Sequence, residues 1–155
     1  MLTTVQDTLR ALIIPMGARN LLLPNVAVAE IVPYVRATAV PDAPDWLLGA
    51  LNWRGVRIPL ISYDGLYDLD NPGEYGRARI AVLNTLHVDS GLSFYAVVTS
   101  GIPQLKRVNA ETLQETAAEA GTDVLSQVQL GDLQAVVPDL AALESKVADG
   151  WRRVA

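Results

Sequence analysis

Cysteine is absent from this chain, so disulfides and thiolate metal sites are excluded. Histidine occurs once, at His87, which leaves no set of imidazoles to hold a transition metal. His87 lies in a segment of turn residues beside Asp89 and Ser90, without the sequence pattern that presents a nucleophilic serine, so it reads as a turn residue rather than a general base. No apolar run approaches the roughly 18 residues of a membrane span. The start of the chain has Asp7 and a lone Arg10 before a short apolar run broken at Pro15, which is not a secretory signal. The missing targeting and spanning signals point to the cytoplasm. Basic residues are outnumbered, 12 against 17 acidic, for a net charge of −5. That balance disfavours nucleic acid, whose phosphates need basic patches.

What is present suits a folded globular chain. Half of the 155 residues are hydrophobic and 19% are charged, enough for one domain with a proper core. Turn signals recur at short intervals. Ala11 to Met16, Gly17 to Asn20 and the apolar run to Leu23 read as a hairpin. Leu48 to Trp53 and Val56 to Tyr63 read as a second hairpin around Arg54-Gly55, where glycine tolerates the positive φ that a tight turn requires. Pro59 interrupts the second of these runs and cannot donate to a ladder, so its N–H edge is expected to be unpaired. Ile80 to Asn84 and Gly91 to Ser100 form the next strand pair, the latter with one apolar and one mixed face. Leu125 to Leu130 and Gln134 to Val137 flank the turn Gly131-Asp132-Leu133. Asn109 is a candidate cap for a helix to Ala120, with Glu111, Glu115 and Glu119 on one face and Gly121 ending it. Asp139 caps a more convincing helix with the stripe Leu140, Leu143, Val147, and Gly150 reads as its stop. The tail Trp151 to Ala155 has no evident place in the core. Val26 to Ile31 fits either a helical turn capped by Asn25 or strand alternation.

Asp64 to Gly76 is rich in aspartate and invites a calcium reading. The pattern beginning at Asp68 fails where Pro72 and Arg79 stand in ligand positions, so a surface loop is expected and no metal. No nucleophile–base pair or phosphate loop is visible, so neither a catalytic site nor a cofactor is expected.

The stretch Pro41 to Tyr63 carries a longer pattern: Ala43-Pro44, Gly49, Leu51-Asn52, Arg54-Gly55 and Pro59-Leu60-Ile61. In this order the residues resemble the signature of the CheW-like domain, the adaptor of bacterial chemosensory arrays. The resemblance extends loosely from Leu12 to Val147. It implies a mainly β fold of two interlaced five-stranded SH3-like barrels with short helices and a C-terminal helix. It places a short helix and then a strand at Val26 to Ile31, and Val32 to Val40 reads as a continuation of that strand despite Pro33. The single domain would span residues 1–155, with a core of about 11–149 and both tails outside. The resemblance further implies a non-catalytic cytoplasmic adaptor at membrane-bound receptor arrays, a monomer in isolation. It would bridge chemoreceptor tips and the regulatory domain of a chemotaxis-type histidine kinase. Glu30, Asn52, Arg54, Gly55 and Val56 match the partner-binding positions. Glu30 is then a solvated surface carboxylate whose loss should cost under about half a kcal/mol. Where the family usually has an apolar-apolar-Asp pattern at the end of the Gly91–Ser100 strand, this chain has Val97-Val98-Thr99. The phrase Leu12-Ile-Ile-Pro-Met-Gly-Ala-Arg-Asn-Leu-Leu-Leu-Pro24 is similar to divergent members serving type IV pilus systems. The alternatives are a β-barrel regulator binding a small ligand between its barrels, and a small hydrolase or transferase using the Asp64–Glu74 loop.

Overall fold

The computed structural model describes residues 8–17, 19–69, 77–87, 90–117 and 123–154. Among them eleven strands form two sheets, and the chain leaves the first sheet and returns to it. Strands β1 (Leu9–Pro15) and β2 (Asn20–Pro24) open the first sheet as the expected hairpin. The second sheet is built wholly from the middle of the chain: β3 (Val28–Pro33), β4 (Leu47–Trp53), β5 (Val56–Ile61), β6 (Arg79–Asn84) and β7 (Phe94–Val98). The chain then completes the first sheet with β8 (Gln104–Val108), β9 (Gln114–Ala117), β10 (Val124–Leu130) and β11 (Leu133–Pro138). Strand order is β8-β1-β2-β11-β10-β9 in the first sheet and β3-β6-β7-β5-β4 in the second. The mainly β expectation holds, but the first sheet has six strands where five were expected.

The sixth strand comes from the segment read as a helix after Asn109. Asn109 Oδ1 accepts the backbone N–H groups of Glu111 and Thr112, each at 2.9 Å, and closes a turn. The chain then runs on as β9, with Glu115 opposite Val128 and Gln114 opposite Gln129. Only Leu113 could have anchored a helix there, and ladder pairing with β10 outweighs so weak a helical preference. Glu119 lies outside the described residues, so the acidic stripe is replaced by an exposed Glu115 on a strand.

Other boundaries shift for local reasons. Asn25 does not cap. It is the first residue of a single 3-10 turn, Asn25–Ala27, whose N-cap is Pro24 with no side-chain bond. Strand β3 ends at Pro33 instead of continuing to Val40, and only Thr38 returns to a sheet, bridging Ala50. Ser62 caps a short helix α1 (Tyr63–Leu66), accepting the Gly65 N–H at 3.0 Å, where strand had been expected to reach Tyr63. Strand β7 is buried on both faces: Tyr95 and Val97 join the main core, and Ala96 and Val98 a second cluster on the other side of the sheet. Thr99 replaces the family aspartate with a neutral solution: its hydroxyl donates to Gly101 O at 2.6 Å and accepts from Arg79 N at 3.0 Å.

Helix α2 (Leu140–Val154) carries the largest correction. Asp139 begins it as expected, accepting the Ala142 N–H at 3.1 Å. Gly150 does not end it. The indole ring of Trp46 lies where a side chain at position 150 would project, so glycine there serves a close contact inside the helix. The helix runs on through the supposed tail, and Leu143, Val147 and Trp151 continue one apolar stripe into the main core. Arg152 and Arg153 fall in the last turn, where cations complement the helix dipole, and both pair with Asp149. By sequence α2 follows the first sheet, yet Trp151 is covered by Arg57 of β5, with the guanidinium 4.8 Å from its ring. The helix thus straps the two halves together.

Candidate partner-binding site

The hairpin of β4 and β5 is built as its sequence suggests, with a two-residue turn. Arg54 (φ 49°) and Gly55 (φ 80°) are both left-handed, the geometry that matches the twist of the flanking strands. Glycine supplies it freely and Arg54 at a modest cost. Trp53 and Val56 are opposite partners at the closing end, and Asn52 faces Arg57 one step down. The lead-in is fixed at Gly49, whose φ of 150° and contact with the Thr38 carbonyl leave no room for a Cβ. Ala50 donates to Thr38 O at 2.8 Å and accepts from Thr38 N at 2.9 Å. Its own polar groups therefore point away from β5, and the Ala50–Pro59 pair needs no N–H from proline. The proline is tolerated although β5 is not an edge strand, because the parallel ladder to β7 begins only at Leu60.

At the tip the structure joins two residues that the sequence treated separately. Glu30 on β3 accepts the Trp53 indole N–H at 2.9 Å and the Arg54 guanidinium at 3.2 Å, both on Oε1. The guanidinium carbon also lies 4.7 Å from the Trp53 ring centroid. Trp53 in turn meets Phe94 edge-on, with centroids 4.7 Å apart and planes at 64°. Arg54 is thus a guanidinium held against an aromatic face by a carboxylate, with its side chain still 66% exposed. Such stacking fixes a long side chain that would otherwise lose rotamer freedom on binding.

Four of the five expected residues, Glu30, Arg54, Gly55 and Val56, gather around this tip. Asn52 is exposed on the opposite face, beside Arg57. The sequence reading missed Trp53 and Phe94. An indole in a half-buried strand needs an acceptor, and that requirement was the available signal. Glu30 is less free than expected, its side chain 39% exposed and engaged by two donors.

Two further groups escaped the sequence reading. Glu144 on α2 is fully buried, and its carboxylate accepts the backbone N–H groups of Leu86 and, at 3.0 Å, His87. His87 itself is an exposed turn residue. Asp123 accepts the Tyr67 hydroxyl at 2.9 Å and pairs with Lys146 at 2.7 Å, tying the residue before β10 to the C-cap of α1 and to α2. The bond from Lys146 holds the Asp123 carboxyl below the usual carboxylate range. Burial pushes the Tyr67 phenol far up, and the Asp123 hydrogen bond adds to the shift. Asp70 to Gly76, the centre of the calcium reading, lies outside the described residues. A cleft of about 700 Å³ is lined by Arg19, Asn20, Thr116, Gln127, Asp132 and Gln134 among others. These residues come from the first sheet and its turns, so this cleft is not a cavity between barrels.

A family model of the CheW-like domain matches residues 10–147. The chain belongs to the CheW-like domain family. The family consists of non-catalytic scaffold and adaptor proteins of chemosensory arrays. The fold is also similar to the crystal structure of the scaffolding protein TtCheW from Thermoanaerobacter tengcongensis, with a TM-score of 0.75. That likeness covers 90% of this chain and 89% of the other, at 17% sequence identity, and speaks for the fold. No curated protein matches the sequence significantly. Among the described residues, no helix is long and apolar enough to cross a membrane.

Proposed function

We propose that this CheW-like chain couples the cytoplasmic tips of chemoreceptors to the regulatory domain of a chemotaxis-type histidine kinase, and that the β4–β5 hairpin tip is its principal docking feature. The supporting observation is the exposed Arg54, fixed by Glu30 and stacked on Trp53. A planar guanidinium held in place can bond a partner carboxylate in two places while its stem covers apolar surface, which is why arginine is frequent among interface hot spots. Gly55 and Val56 set the turn that presents it, and Asn52 extends the surface to the other face of the hairpin. The protein acts in the cytoplasm, is a monomer in isolation and performs no chemistry. The Leu12 to Pro24 phrase supports an output to type IV pili, which twitching assays of a deletion strain would test.

The binding role is tested by titrating Arg54→Ala and Arg54→Glu against a receptor tip and against the kinase regulatory domain. Truncation should cost roughly 2 kcal/mol, near thirtyfold in affinity. Reversal should cost more, through like-charge repulsion with an acidic partner. Melting curves run in parallel separate lost contact from lost fold. Wild-type binding by both variants to both partners would reduce Arg54 to a turn residue.

A further inference from the structure

Away from the hairpin, the free edge of the first sheet carries a charge pattern that folding does not explain. Among the described residues, strand β8 pairs only with β1 and ends its sheet. Gln104, Leu105, Lys106 and Arg107 on it are all exposed. Arg10 stands directly opposite Arg107 in the antiparallel register, and it too is exposed. Like charges placed opposite one another across a ladder are destabilising. Neither arginine, nor Lys106, has an ion-pair partner among the described residues, although the chain carries five more acidic than basic groups. Leu105, 56% exposed, shares the face of Arg10 and Arg107, and Leu9 is exposed at the far end of the same strand pair.

Charge on an edge strand often serves to block unwanted pairing. That role would account for Lys106 and Arg107. It does not account for Arg10, which lies on the second strand in and opposes Arg107 unfavourably. Arg10 and Arg107 on one face of the sheet and Lys106 on the other flank an open row of backbone groups, a pattern complementary to an extended segment of opposite charge. A membrane surface would make no use of the backbone edge, and the net charge of the chain would oppose its approach.

We propose that the outer edge of β8 is a docking edge for an extended acidic segment of a partner protein, taken up as an added strand. Main-chain hydrogen bonds supply the attachment, Arg10, Lys106 and Arg107 the charge selection, and Leu105 an apolar contact. This surface is separate from the β4–β5 hairpin and does not depend on its role.

The test uses two short synthetic peptides, one repeating Glu-Glu-Val and one repeating Lys-Lys-Val, so that an added strand carries charge on both faces. Binding to the full chain is followed by fluorescence anisotropy and by amide hydrogen exchange. The acidic peptide should bind, weakening at least about tenfold between roughly 0.02 and 0.5 M salt. It should slow exchange of β8 amides, while the basic peptide does neither. Lys106→Glu/Arg107→Glu should lower affinity at least about tenfold. Arg10→Glu should also weaken binding yet raise the melting temperature, since it replaces a repulsive pair with an attractive one. Equal binding of both peptides, unchanged β8 exchange, or wild-type affinity in the double variant would overturn the proposal. So would a wild type that binds neither peptide while neutral Lys106→Ala/Arg107→Ala self-associates, because the cations would then only guard the edge.

Discussion

Removing the Glu30 carboxylate should destabilise the fold by more than its surface position implies. In Glu30→Ala the Trp53 indole N–H loses its acceptor while the ring stays buried against Phe94. A buried donor left without a partner costs about 1–3 kcal/mol. Arg54 loses its ion pair as well, but both side chains are well exposed, at 66% and 39%, so screening keeps that loss to about 0.2–1 kcal/mol. Together the loss is roughly 1.2–4 kcal/mol, more than twice the half kcal/mol expected from sequence. For a domain of this size it corresponds to a fall in melting temperature of roughly 2–16 °C. Glu30→Gln separates the two parts. Its amide oxygen can still accept the indole N–H, so only the charge is lost and the cost should stay below about 1 kcal/mol. Calorimetry of both variants, with Trp53→Phe in each background, completes a double-mutant cycle. If Ala and Gln variants melt within about half a kcal/mol of each other, the indole bond contributes little and Glu30 is the solvated residue first expected.

Other consequences can be measured directly. Alanine normally favours a helix interior by about 1 kcal/mol over glycine, yet Gly150→Ala should lower the melting temperature because the new methyl meets Trp46, and Trp46→Ala should restore it. Glu144→Gln replaces an acceptor with an amide NH₂ facing a backbone donor; it should cost about 2–3 kcal/mol and speed amide exchange at Leu86 and His87. Asp123 titrates below the usual carboxylate value in the folded state, so its stabilisation is present above the unfolded value near 4 and is lost as pH falls through the depressed one. Acid melting curves should show that loss in wild type and not in Asp123→Asn. Tyr67 is shifted the other way, so stability should fall as pH rises past about 10, where the unfolded chain ionises first. Tyr67→Phe should flatten that alkaline limb.

Local chemistry made the two-residue turns legible from sequence. Arg54-Gly55 and Gly131-Asp132-Leu133 sit between apolar runs, and the hairpins formed there with nearly the expected bounds, although the second turn is only Gly131-Asp132, Leu133 already being in β11. The Asp139 cap was legible for the same reason. What failed depended on distant partners. The 114–117 segment became strand because β10 lies beside it, and Gly150 stayed helical because Trp46, far off in sequence, packs on it. Trp151 looked like tail only because its cover, Arg57, belongs to the other sheet. Arg54 and Glu30 were each visible as candidate site residues, but their meeting through Trp53 depends on the closure of the second sheet. The buried Glu144 followed from no local pattern, since its partners are backbone amides of a distant loop.

The adaptor role itself is most directly tested by sedimentation of three purified components: a receptor cytoplasmic fragment, the kinase regulatory domain and this chain. Receptor fragment and kinase domain should co-sediment when the chain is added, should separate without it, and should separate again with Arg54→Glu. Failure of the wild-type chain to bring the two together, or equal association in its absence, would contradict the coupling function.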